Sequence, residues 1–138
     1  MASFDIRILK HGRERYEIEE VVVCGVTVDA GESEIVFPSE YEGKAVTHIG
    51  YEQKFTPGEM RYHDWHHPAQ GMDYEPARYD LKAVELNIPA TVCRIVLPKE
   101  IKCVSYLAFS RVADRSVINI DLENPYLTVD GEGKIHGV

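Results

Sequence analysis

The feature that most constrains this chain is a phrase it uses twice in succession. Pro89 is followed by apolar residues at the third and sixth places, Val92 and Ile95. Pro98 is followed in the same way by Ile101 and Val104, with Phe109 beyond. A looser copy begins at Pro38, where Val46, Ile49 and Phe55 come after a longer gap filled by EYEGKA. Self-similar units of this kind cannot bury an apolar face alone and become stable by lying on one another. The pattern predicts a stack of like units organised around residues 81–109.

The flanks carry the two-residue period of half-buried strands. Phe4, Ile6 and Ile8 alternate with polar residues, Gly12 marks a turn, and Tyr16, Ile18 and residues 21–28 resume the alternation. Gly25 falls inside that run, where glycine usually marks a bend or bulge. Residues 29–33 read as a second turn, and Ile35 and Phe37 lead into Pro38. β-branched residues dominate throughout, so residues 1–37 are expected to form a β-meander that caps one end. A turn at Gly43 and a short strand at 46–49, broken by Gly50, make a first repeat over 38–55.

Residues 56–79 differ in kind. They are polar and aromatic, carry three prolines and two glycines, and have no sustained period. We read them as an inserted surface loop, longer than an ordinary connection. With these 24 residues removed, the spacing from Pro38 to Pro89 falls from 51 to 27, the same as from Pro98 to Pro125. Residues 80–138 supply the further repeats and a closing hairpin. Leu81, Val84, Leu86 and Ile88 should point inward from a strand, as should Ile118, Ile120 and Leu122. Residues 105–115 are the one place where the spacing allows a turn or two of helix. Asp130-Gly131, flanked by Leu127, Val129 and Ile135, is a hairpin signal.

With 138 residues the chain fits one domain. Its net charge of −8 argues against nucleic acid and against anionic membrane surfaces. No run approaches the ~18 apolar residues of a membrane helix. The first twenty residues show no secretory signal, so the chain as it stands reads as cytoplasmic; removal of a signal would make it secreted or surface-bound. Cys24, Cys93 and Cys103 are odd in number and lack CxxC spacing, which predicts reduced, buried thiols.

Ile88-Pro89, Leu97-Pro98 and Ala108-Phe109, the opening FPSEYEGKAVTHIG at 37–50 and the closing NPYLTVDG at 124–131 together resemble the bacterial leucine-rich-repeat proteins called BspA-like. The resemblance covers residues 16–55 and 81–138. It implies a mainly β, short right-handed solenoid, a role in binding proteins or surfaces, and no catalytic residues. The chain departs from the family in having at most three units, one of them compressed, so meander and hairpin would have to act as caps.

The expected function is therefore a non-enzymatic protein-interaction module. Tyr62, Trp65, Tyr74 and Tyr79 have the composition of an interface hot spot, and Glu85, Asn87, Asn119 and Asp121 line strand exteriors that could recognise a partner. The blander reading is that Trp65 covers the core and that these polar positions are a solvated sheet face. The alternative function is metal or small-ligand binding by His63, Asp64, His66 and His67, whose donors suit zinc or nickel. No cofactor is otherwise expected. An exposed strand edge also allows a homodimer. His11, His48 and His136 read as surface or satisfied core histidines.

Overall fold

The computed structural model describes residues 2–11, 18–53 and 81–138. The protein is mainly β in these segments, in small separate sheets, and its one helical element is a single 3-10 turn at Arg115–Val117. No helix among the described residues is long and apolar enough to cross a membrane.

Strand β1 (Ser3–His11) pairs antiparallel with β2 (Ile18–Thr27). The register shifts between Asp5 and Ile6, with Asp5 opposite Gly25 and Ile6 opposite Val23, so Cys24 is the extra residue of a bulge. The third strand of the expected meander goes elsewhere. β3 (Glu34–Val36) lies in another sheet and pairs parallel with β9 (Arg94–Leu97), because the turn at 29–33 carries the chain round a corner instead of back along β2. The meander is thus corrected to a hairpin.

β4 (Glu40–Tyr41) and β5 (Lys44–Ala45) form a tight hairpin. Glu42 and Gly43 both have positive φ there, 52° and 79°, the twist that suits two-residue hairpin loops. β6 (His48–Ile49) then pairs parallel with β2, and β10 (Cys103–Val104) pairs parallel with β6. β7 (Tyr51–Gln53) and β8 (Leu81–Ala83) are antiparallel partners on either side of residues 54–80. β11 (Ile118–Ile120) lies parallel to β9, and β12 (Leu127–Val129) pairs with β13 (Ile135–Gly137) in the predicted hairpin.

The larger sheet therefore runs β1-β2-β6-β10 and the second β11-β9-β3. In chain order β2, β6 and β10, of the larger sheet, alternate with β3, β9 and β11, of the second. This explains the two proline phrases only nine residues apart. They do not stack on each other: the phrase after Pro89 enters β9, whereas the phrase after Pro98 enters β10 in the other sheet. Each is the same corner, with Val92 N–H donating to the Pro89 carbonyl at 3.2 Å and Ile101 N–H to that of Pro98 at 3.4 Å.

The main core gathers Val23, Ile35, Phe37, Val46, Ile49, Leu86, Ile95, Leu97, Ile101 and Phe109. Phe37 and Phe109 meet edge to face at 6.0 Å. Leu86 and Ile88 are buried as expected, although only residues 81–83 of that segment are strand. Ile120 packs partly against the core, but Leu122 is fully exposed because the chain turns after Ile120 at Asp121. Residues 105–111 make successive turns, with Ala108 N–H on the Ser105 carbonyl and Ser110 N–H on that of Leu107.

Candidate functional site

Strand parity defines a second face on the larger sheet. Val23, Ile49 and Val104 share one face, where Val23 and Ile49 belong to the main core and Val104 packs against it. One residue out of phase, Val22, His48 and Cys103 lie in register across the three parallel strands and share the opposite face. Glu20, two residues before Val22, belongs there too. A small cluster of Leu9, Val22 and Leu81, with Tyr51 packed on it, covers part of this face. Tyr51 and Leu81 stand on β7 and β8.

His48 is 5 % exposed, yet it sits among polar partners. Its Nδ1 lies 3.0 Å from Glu20 Oε2 and 2.8 Å from Thr47 Oγ1. Its ring packs edge-on to Tyr51 at 5.6 Å. Burial alone would depress the imidazole pKa. Hydrogen bonding to Cys103 and Glu20, with the Glu20 charge, overrides that penalty and raises it from 6.5 to about 9. The imidazolium is therefore held between an acid and a thiol. His48, Tyr51, Leu81 and Cys103 line a cavity of about 290 Å³.

Cys103 and Tyr51 also border a larger groove of about 610 Å³, between the outer edge of β10 and the hairpin β12–β13. Its cations are Lys102, Arg115 and Lys134, and no carboxylate occurs among the described residues that line it. His136 lies there too, held by Asp130 Oδ2 at 2.7 Å. That contact, with the N–H groups of Lys134 and Glu132, lowers the Asp130 pKa to about 2. In a chain of net charge −8 such a groove is a local inversion of sign.

The thiols correct one expectation. All three are free, but none is fully buried: Cys93 is exposed, and Cys24 and Cys103 are half-buried. Cys24 donates to the Asp5 carbonyl at 3.3 Å, and burial followed by the Asp5 charge pushes its thiol pKa up.

The positions singled out from sequence fare unevenly. Tyr62, Trp65, Tyr74 and Tyr79, and the donor set His63, Asp64, His66 and His67, lie outside the described residues. Glu85 and Asn87 are exposed but occupied: Arg111 donates to Glu85 Oε1 and, at 2.9 Å, to Asn87 Oδ1. Asn119 Nδ2 donates to the Val117 carbonyl at 2.9 Å, and Asp121 Oδ1 accepts from Glu123 N–H at 2.8 Å. No strand pairing joins these two pairs into one recognition face. The cluster of Glu20, His48 and Cys103 escaped the sequence reading. The one signal in the sequence is a shared spacing: His48 follows Val46 by two places and Cys103 follows Ile101 by two.

A scan against protein-family models found no match, and neither the curated proteins nor the solved structures contained a similar one. The leucine-rich-repeat resemblance rests on the residues that carry it.

Proposed function

We propose that this protein is a protein-interaction module built as a short, capped solenoid of the leucine-rich-repeat type. It takes an extended acidic segment of a partner along the outer edge of β10. Support for the solenoid comes from the alternation of parallel strands between two sheets, with the β1–β2 hairpin before it and the β12–β13 hairpin after it.

The single observation that carries the binding mode is the groove beside β10. In a parallel ladder alternate residues bond to each side. Cys103 and Ser105 donate inward to the Thr47 and Ile49 carbonyls, at 3.2 and 3.0 Å, which turns the Val104 main chain toward the edge that no other described strand occupies. An edge strand can accept another by main-chain hydrogen bonding. Lys102, Arg115 and Lys134 along it select acidic side chains. Tyr106, 84 % exposed, offers an aromatic contact at the same rim.

The test is fluorescence anisotropy with a labelled peptide of alternating glutamate and threonine, against a lysine–threonine control. Binding of the acidic peptide alone is expected. Joint Lys102→Glu and Lys134→Glu replacement should weaken it at least about tenfold, and added salt should weaken it too. Equal affinity for both peptides would refute the proposal.

A further inference from the structure

We infer that Cys103 is a reactive thiol that forms mixed disulfides with small anionic disulfides, with His48 as its proton relay and Glu20 as the residue that positions His48. Three features of the fold meet at this point. The parallel register sets Cys103 directly beside His48. Glu20 holds the imidazole through Nδ1 at 3.0 Å, and hydrogen bonding to Cys103 links the same ring to the thiol. Cys103 borders both the 290 Å³ cavity and the larger groove, so the thiol is approachable from a site lined with cations.

The chemistry balances with the disulfide as oxidant. The Cys103 thiol loses its proton to water, and the thiolate beside the His48 imidazolium attacks one sulfur of the incoming disulfide. That S–S bond breaks, a new one forms to Cys103, and the departing thiolate takes the proton from His48, which regains one from water. Cys103 is oxidised and one half of the disulfide is reduced. A thiol beside an imidazolium is the arrangement that favours thiolate attack. Cys24, whose thiol donates to a carbonyl beside Asp5, lacks such a partner, and Cys93 is exposed on the other sheet system. Among the described residues, the groups facing His48 are Glu20 on β2, its neighbour Thr47, Tyr51 on β7 and Cys103 on β10. This chemistry stands whether or not a peptide occupies the groove.

The experiment uses the full chain with Cys24→Ser and Cys93→Ser, leaving Cys103 as the one thiol. Two disulfide probes are compared: dianionic dithionitrobenzoate and uncharged dithiodipyridine. Rapid reaction with both is expected, with a preference for the dianion that salt abolishes. His48→Gln should slow both probes at least tenfold. Glu20→Gln should shift the pH at which the rate is half-maximal, and Glu20→Asp should restore part of that shift. Lys102→Glu with Lys134→Glu, both on exposed side chains, should slow only the dianion, which keeps the test open if His48→Gln fails to fold. Rates with both probes that match a free cysteine and ignore these changes would overturn the inference, as would equal slowing of both probes by the charge reversals.

Discussion

Cys103 and His48 stand directly opposite each other in the two-residue ladder that joins β10 to β6, on the sheet face turned away from the main core. They are 55 positions apart in the chain. The parallel pairing of β2, β6 and β10 builds the cluster. Each of the following outcomes depends on a contact of this kind.

His48 couples stability to alkaline pH. Its folded pKa of about 9 lies above the ordinary 6.5, so the folded state binds the proton more tightly than the unfolded chain does. The stabilisation is fully present below pH 6.5 and is lost as pH rises through about 9. A shift of this size corresponds to a loss on the order of 3 kcal/mol across that window. Urea unfolding at successive pH values should show the decline, and Glu20→Gln should flatten it. A constant midpoint from pH 6 to pH 9 would count against the buried Glu20–His48 pair.

Asn124 closes the stack. Its Nδ2 donates to the Pro98 and Ile101 carbonyls at 3.2 and 3.0 Å, and its Oδ1 accepts the N–H groups of Tyr126 and Leu127 at 2.7 and 2.9 Å. Alanine here strands the Ile101 carbonyl and the N–H groups of Tyr126 and Leu127, while the Pro98 carbonyl keeps the Ile101 N–H, and should cost about 2 to 3 kcal/mol. Aspartate, which cannot donate while ionised, should do no better. Chemical denaturation of both variants checks this, and a loss below about 0.5 kcal/mol would show that water replaces the side chain.

Gly50 is the corner residue between β6 and β7, with φ of +84°. A Cβ there would lie 2.4 Å from that of Ala108 and 2.6 Å from Ser105 Oγ. Gly50→Ala combines an unfavourable backbone with a clash and should destabilise by roughly 2 to 4 kcal/mol. Gly31→Ala, also at positive φ but with nothing within 4 Å, should cost only the backbone part, about 1 kcal/mol. Thermal melts of the pair separate packing from conformation.

Ile95 is fully buried and pairs with both Ile35 and Ile118 across the second sheet. Truncation to alanine should cost about 3 to 4 kcal/mol through the cavity it leaves. Leu122, fully exposed, should tolerate alanine within about 0.5 kcal/mol. Equal effects at the two positions would contradict the inward assignment of β9.

Much of this arrangement was legible in the sequence where one physical cause decides it. Period-two alternation identified β1, β2, β11 and the closing hairpin, and the interruption at Gly25 marked the bulge. Proline corners were legible as a repeated phrase, but their destinations were not. The two phrases, nine residues apart, lead into β9 and β10, which lie in different sheets. Leu122 continued an alternating pattern that the turn at Asp121 had already ended. The Glu20–His48–Cys103 cluster could not be read from spacing alone because long-range parallel pairing, not local sequence, assembles it.

The most direct test of the central claim is amide chemical-shift mapping while the acidic glutamate–threonine peptide is titrated into the labelled protein. The account predicts the largest shifts, and slowed amide exchange, at Val104 and its neighbours in residues 102–106, with a second group at residues 134–137 across the groove. No shifts at millimolar peptide, or shifts centred on the β11 edge while Val104 stays unmoved, would contradict it.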